Sequence, residues 1–280
     1  MPERGSRRGG RGGGRGGPLP RNVQVSKKIA WLLRHGAEKE GLQLDSSGFI
    51  NVEDVLQNRN VKSLKITFEE LQACVQDNDK QRFAMVPVLQ SDPSAAAEEQ
   101  TQQTPLPSSN PRDYLIRANQ GHSLRVESEA LLQPITEENL PQNAIHGTTH
   151  AAYVGIIASG GLKPMGRNHV HLASGLPAGF QSIVEDDDKT SAEAPPVISG
   201  MRKSSTVLIF LDLRKAMDAG IKFWLSDNGV ILSEGNEEGL LPLSLFKRVE
   251  DRTGAGVLVE DGKVVKEAPA TWAAKGAGKR

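Results

Sequence analysis

Three polar stretches interrupt this chain, and only the segments between them can bury apolar surface. Residues 1–21 read MPERGSRRGGRGGGRGGPLPR, with six arginines against one glutamate. A segment of this composition cannot offset the entropy of ordering, so a disordered Arg-Gly-Gly tail is expected. Such tails contact RNA loosely through charge and stacking, or simply solubilise. Residues 92–113 carry four prolines and no apolar period, which suggests an insertion at a hairpin tip, flexible over about 90–112. Residues 181–200 are acidic and contain Pro and Ser, as expected of a surface loop that is flexible over about 181–198. What remains, roughly 22–128 and 139–250, is enough for two cores in a chain of 280 residues. The Gly-, Ala- and Lys-rich residues 251–280 are expected to be a mobile tail.

The overall charge is zero, with 34 Lys+Arg against 34 Asp+Glu. That average does not exclude a nucleic-acid partner, because the basic and acidic residues are segregated along the chain. One cysteine, Cys74, excludes an intrachain disulfide and any CxxC zinc site. It shares an apolar face with Leu71 and Val75 and is expected to be a core thiol. No apolar run reaches the roughly 18 residues of a membrane span, and the first residues lack the apolar core of a secretory signal. An intracellular protein, cytoplasmic or nuclear, with no membrane association is expected.

In the first foldable segment, Ser26 is placed to cap a helix with Ile29, Leu32 and Leu33 on one face, ended by Gly36 or Gly41. Phe49–Leu56 suggests a short strand turning into a second helix. Thr67 and Glu70 form a capping box for a third, with Phe68, Leu71 and Val75 inward. Two β-like stretches, 82–86 and 114–118, follow. In the second segment, strands are expected at 145–148, 170–173 and 207–211, with short helices over 151–159 and 214–219. Asp227-Asn-Gly229 marks a hairpin between 222–226 and 230–232. The expected class is α+β.

Four polar clusters stand out. Arg34-His35 closes the first helix, where cations favour the macrodipole; alternatively it is an anion site, with a guanidinium fork beside an imidazole. Arg117-Ala-Asn119-Gln120-Gly-His122-Ser123 is either an exposed wing tip or a loop offering polar groups to an oxygen-rich ligand. His146-Gly147-Thr148 is either a structural strand end or a place where glycine lets a ligand approach the backbone. In Arg167-Asn-His169-Val-His171, the two histidines fall on one strand face. With no Cys, Asp or Glu nearby, a phosphate or ribose ligand suits them better than a metal.

These segments, together with Ser26-Lys27-Lys28, Lys80-Gln-Arg-Phe83, Gly161-Leu162, Ile198-Ser-Gly-Met201 and Ser226-Asp-Asn-Gly-Val230, occur in an order that resembles the tRNA 2′-phosphotransferase family. The similarity covers roughly residues 24–250 and departs at the two insertions and both tails. The resemblance implies an N-terminal winged-helix lobe for RNA and a C-terminal ADP-ribosyltransferase-like lobe for NAD. It implies transfer of the internal 2′-phosphate of a tRNA splice junction to NAD, through an ADP-ribosylated RNA 2′-phosphate. The products would be 2′-hydroxyl RNA, nicotinamide and ADP-ribose 1″,2″-cyclic phosphate, with no metal and with the chain acting as a monomer. The implied catalytic set is Arg34, His35, Arg117 and Arg167. Lys27, Asn119, Gln120 and His122 would bind RNA phosphate. His146, Gly147, Thr148, Gly161, Leu162, His169, His171 and Val230 would hold NAD, with either His169 or His171 on the nicotinamide side and Ile231 an alternative to Val230. The other readings weighed are a mono-ADP-ribosyltransferase of phosphorylated nucleic-acid ends and a non-catalytic RNA-binding module.

If the arginine tail only raises RNA affinity, deleting residues 1–21 should weaken RNA binding at low salt. The single-turnover rate at saturating RNA should stay nearly unchanged. A collapse of that saturated rate would refute the division of labour.

Overall fold

The computed structural model describes residues 19–77, 80–88, 108–124, 132–184, 197 and 199–274. The bulk of the expected arginine tail (1–18), the bulk of both insertions (89–107, 185–196 and 198) and the last six residues lie outside the described residues.

The N-terminal lobe begins with helix α1, Arg21–Trp31, preceded by Pro20. Ser26 is therefore inside the helix, not its cap. The helix starts earlier because Val25 and Ile29 both enter the core, and Arg21 forks onto Glu70 of a later helix at 2.7 and 2.8 Å. Arg21 thus belongs to the fold, and a tail deletion that spares this contact ends at residue 18. Beyond Trp31 the helix does not stop. It widens into a five-residue π turn, Leu32–Gly36, and then a 3₁₀ turn, Glu38–Glu40, closed by Gly41 at φ 71°.

Strand β1 (Ile50–Asn51) leads directly into α2 (Val52–Gln57), whose first turn is capped by the Asn51 side chain. Helix α3 (Arg59–Lys62) is capped by Asn58. Helix α4 (Phe68–Gln76) has the expected capping box between Thr67 and Glu70. β2 (Phe83–Pro87) and β3 (Tyr114–Ala118) pair antiparallel, with β3 central in the order β1-β3-β2. Ile29, Leu32, Leu33, Val55, Leu71 and Ile116 form the centre of this lobe's core. Cys74 is half-buried at its edge.

The C-terminal lobe is a nine-stranded sheet in the order β14-β13-β12-β8-β5-β7-β10-β9-β4, antiparallel throughout. Its strands are β4 (Gln133–Pro134), β5 (Ile145–Thr148), β7 (Val170–Ala173), β8 (Val207–Leu211), β9 (Trp224–Leu225), β10 (Val230–Ser233), β12 (Phe246–Asp251), β13 (Gly256–Glu260) and β14 (Lys263–Val264). Helices α5 (His150–Ala158) and α6 (Leu213–Asp218) are capped by Thr149 and Asp212. A separate pair joins β6 (Gly161–Leu162) to β11 (Leu241–Pro242). The mixed helix-and-sheet class is as expected. The lobe starts earlier than Asn139, since β4 extends the sheet and Leu132 packs with Trp224.

The mobile tail expected over 251–280 is overturned for its described part. Leu258 and Val259 of β13 are fully buried in the main core, and a short helix α7 (Thr271–Ala274) covers it with Trp272. Asp251 anchors the turn, accepting hydrogen bonds from Thr253 Oγ1 at 2.9 Å and the Ala255 amide at 2.7 Å. The His150 ring meets Asp251 at 2.7 Å and stacks on Trp272 with centroids 3.9 Å apart. Low-complexity composition concealed a short apolar strand whose partners lie earlier in the chain.

Leu258→Ala should therefore behave as a core truncation, costing about 2–5 kcal/mol in urea unfolding. A change within about 0.5 kcal/mol would restore the reading of a mobile tail.

Candidate active site

Arg34 and His35 sit on the π turn rather than at an ordinary helix end. Such turns are rare and shift the helical ladder by one residue, which leaves a carbonyl in need of a donor. The Arg34 carbonyl accepts the backbone amides of Ser123 at 3.0 Å and Leu124 at 3.3 Å. The loop after β3 is thereby stapled to the helix. Gly121 adopts φ +88°, and a Cβ there would stand 3.6 Å from the Arg34 guanidinium, so the loop runs close over that side chain. The same loop is held from the other lobe. The Asn168 amide donates to the His122 carbonyl at 3.0 Å, and its side chain donates to the Leu124 carbonyl at 2.8 Å. Arg34, His35, His122 and the Arg167 segment are thus brought together by one loop.

Arg34 Nε and Nη2 are buried with no hydrogen-bond partner, and the charges acting most on this group are Arg167 and Arg82. Burial, reinforced by those two cations, lowers its pKa to about 10. It remains protonated near neutral pH, half-buried and with other cations acting on it. Arg117 is held differently: Nη2 pairs with Asp227 of the β9–β10 turn at 2.5 Å, and the guanidinium lies 4.6 Å over the Phe49 ring. Its Nε is buried and unpartnered. Asn119 donates to the Gln81 carbonyl at 2.9 Å, while its Oδ1 has no partner. Gln120 is half-buried beside it, and Lys27 is exposed on α1. Lys27, Trp31, Arg34, His35, Lys80 and Arg82 line a cleft of about 1220 Å³ together with Pro177, Ala178, Val197, Ser199, Met201 and Lys203.

Burial lowers the pKa of His35, His122, His146, His169 and His171, and the ring nitrogens of two of them can be assigned. Carbonyl oxygens only accept, so His146 Nδ1 donates to the His171 carbonyl at 2.9 Å, and His171 Nδ1 donates to the His169 carbonyl at 2.9 Å. Each ring is left with an acceptor Nε2, and that of His171 is buried without a partner. Burial, then the Arg167 charge, pushes His171 down to about 3. His122 is also pushed to about 3, by burial and then by Arg34, His169, His35 and Arg117. His35 Nδ1 meets Ser123 Oγ at 2.8 Å. That hydroxyl also lies 3.5 Å from the Arg34 carbonyl, so Ser123 holds the ring against the π turn. Burial and the neighbouring Arg34 charge lower its pKa too.

The His146 contact spans a split in the sheet. β5 and β7 share only the pair Ile145↔Ala173, after which β5 stays with β8. Gly147 has no room for a side chain, because a Cβ would meet Met201 at 2.4 Å. His171 lies opposite Leu232, and Val230 opposite Ala173, on the same sheet face. The His169 ring instead meets Trp224 edge-on, with centroids 5.8 Å apart, and lies 3.5 Å from Glu234. The two histidines therefore have different partners, and His171 is the one within the field of Arg34 and Arg167. Thr148 is buried at the end of β5. Gly161 and Leu162 are accounted for by packing: a Cβ on Gly161 would strike the Leu241 carbonyl, and Leu162 joins the main core. Among the described residues, no group of three or more His, Cys, Asp or Glu is disposed to hold a metal.

Sequence reading missed three groups. Asn168 and Asn228 lay inside segments singled out for their neighbours. Asn228 donates to the Lys80 carbonyl at 2.9 Å and the Ser199 hydroxyl at 3.1 Å, joining the lobes. Arg82 opened the first β-like stretch and stood inside Lys80-Gln-Arg-Phe83, but was given no role of its own.

A family described as RNA 2′-phosphotransferase, Tpt1 / KptA family, matches residues 20–235. The chain belongs to this RNA 2′-phosphotransferase family. A mouse protein named tRNA 2′-phosphotransferase 1 is 39% identical over 227 residues, covering 81% of this chain and 76% of the mouse protein. The zebrafish protein of the same name is 35% identical over 234 residues, 82% of this chain and 86% of its own length. The tRNA 2′-phosphotransferase of Saccharomyces cerevisiae is 36% identical over 233 residues, 82% and 84% of the two chains. The RNA 2′-phosphotransferase match includes Arg34, His35, Arg117, Arg167 and the histidines of the site, and stops at Gly235, before β11–β14 and α7.

Two histidines held neutral make stability depend on pH. The unfolded chain takes up protons below about pH 6.5, whereas His122 and His171 in the folded chain do so only near 3. Stability should fall as the pH drops through that interval. Between pH 6.5 and 5, above the carboxylate range, His122→Asn should flatten the fall in melting temperature. An unchanged slope in that variant would contradict the burial of a neutral ring.

Proposed function

We propose that this chain transfers the internal 2′-phosphate of a spliced tRNA, or of RNA of that kind, to NAD. The products would be 2′-hydroxyl RNA, nicotinamide and ADP-ribose 1″,2″-cyclic phosphate. The observation that carries the reading is the Arg34 guanidinium, with Nε and Nη2 buried and unpartnered and two further arginines as its strongest electrostatic neighbours. A buried cation without an anion is costly, and a dianionic phosphate is the kind of ligand that compensates it. Family membership names the matching chemistry, and the relatives' names specify tRNA or RNA 2′-phosphate as their substrate. In this reading the N-terminal lobe is a winged-helix RNA module and the C-terminal lobe an ADP-ribosyltransferase-like NAD module. The enzyme works as an intracellular monomer.

The residues suit that division of labour. A phosphate monoester has a second pKa of about 6, so near neutral pH it is already anionic and needs no base to become a nucleophile. Arg34, Arg117 and Arg167 bind and orient it and stabilise charge that builds on phosphorus. His35, oriented by Ser123 and with its pKa lowered by burial, is the proton-transfer group for the step that releases the RNA 2′-oxygen. Lys27, Asn119, Gln120 and His122 line the phosphate approach. NAD fits the other side because the acceptor nitrogens of His146 and His171 suit ribose hydroxyls, and His171 Nε2 is a buried acceptor with no donor of its own. When bound, NAD supplies an anomeric carbon with nicotinamide as leaving group, so the phosphate is transferred rather than hydrolysed. His169, Gly147, Thr148 and Val230 shape the same wall; Gly161 and Leu162 support it through β6.

The test is incubation of the full chain with NAD and an oligoribonucleotide bearing an internal 2′-phosphate, followed by product identification. Loss of phosphate from RNA with release of nicotinamide is expected. A stable ADP-ribosylated RNA end product, or RNA binding without NAD consumption, would overturn the reading. Arg34→Met keeps the apolar stem and removes the uncompensated charge. It should abolish turnover while leaving the melting temperature unchanged or higher. A lower melting temperature would mean that the arginine is structural.

A further inference from the structure

We propose that Trp31 is a stacking platform for the nucleobase next to the reacting 2′-phosphate, an inference that rests on the RNA reading above. Trp31 is the last residue of α1, and its side chain is 38% exposed, unusual for a large aromatic in a well-packed lobe. It lines the same cleft as Arg34 and His35. Its position is fixed by the π turn, which brings residue 36 under the ring of residue 31. A Cβ on Gly36 would stand 2.7 Å from Trp31 Cη2 and 2.8 Å from Cζ3, so the indole rests directly on glycine backbone. Gly36 thus serves as a seat, and a side chain there would push the indole off the backbone.

Trp31 precedes Arg34 and His35 by three and four residues on the same helical run and lines the same cleft. A strand whose phosphate reaches Arg34 therefore has its neighbouring base within reach of the indole. Lys28 Nζ lies over the ring, 5.7 Å from its centroid, as a cation that an incoming base would displace towards the adjoining phosphate, and Lys27 lines the same cleft. An exposed aromatic with cations beside it is the recurring device for single-stranded RNA, and it tolerates any base because every base has a π-face. Trp31 would thereby help select an internal phosphate, which has flanking bases, over a mononucleotide phosphate, which has none on that side.

The test is equilibrium binding of the full chain to a short oligoribonucleotide with an internal 2′-phosphate, scored separately from turnover. Trp31→Ala and Trp31→Leu should each weaken binding about tenfold, and Trp31→Phe by less than about threefold. The loss should fall in KM for RNA rather than in kcat. An abasic residue placed in turn at the phosphate-bearing nucleotide and at each neighbour should cost wild type the same factor at one position. At that position it should cost Trp31→Leu nothing further. Wild-type affinity in Trp31→Leu, or losses that simply add at all three positions, would overturn the proposal. Because binding is read directly, an oligonucleotide bound with this pattern but not turned over would sink the phosphotransfer reading and leave the stacking intact.

Discussion

The carbonyl of Arg34 is the point on which the site depends. A π turn leaves it available, and two amides of the 119–124 loop take it up. Those two hydrogen bonds hold the loop over the Arg34 guanidinium, and Asn168 fastens the same loop to the C-terminal lobe. The helix, the loop and the second lobe are therefore in register through backbone groups, which cannot drift as long side chains do. Asn228, bonded to the Lys80 carbonyl, ties the lobes again from the β9–β10 turn. The preorganisation that a phosphate site requires comes from this scaffold.

What the scaffold holds is electrostatically expensive. Arg167 and Arg82 both act on Arg34, while burial holds the pKa of His122 and His171 down. A protein selected only for stability would not keep such a cluster. The C-terminal sheet carries the cost, with β8 buried along its whole length and β12–β13 extending the core beyond the family match.

Much of the architecture was legible in the sequence because it rests on local rules. The capping box of Thr67 and Glu70, the turn at Asp227-Asn-Gly229 and the apolar run 207–211 each specify their own element. The start of α1 was not legible, since Ser26 satisfies the cap rule equally well and only the distant Glu70 decides for Arg21. The C-terminal strands were hidden for a related reason: β13 is short, and its burial depends on β12 and on helices far away in sequence. The site residues could be picked out by their polarity against an apolar pattern. Their relation to one another could not, because Asn168 and Arg82 have no local signature.

By itself the sequence determined which residues could be chemical, since arginine and histidine pairs stand where a fold needs neither. It also determined that two segments of the chain could bury cores, because apolar periodicity is a local property. Tertiary structure alone decided that Arg34 is half-buried with other cations acting on it, that His171 rather than His169 lies in their field, and that Trp31 lies on Gly36. Each of these depends on a π turn and a split between β5 and β7, which arise from how distant segments share hydrogen bonds and not from any residue's own preference.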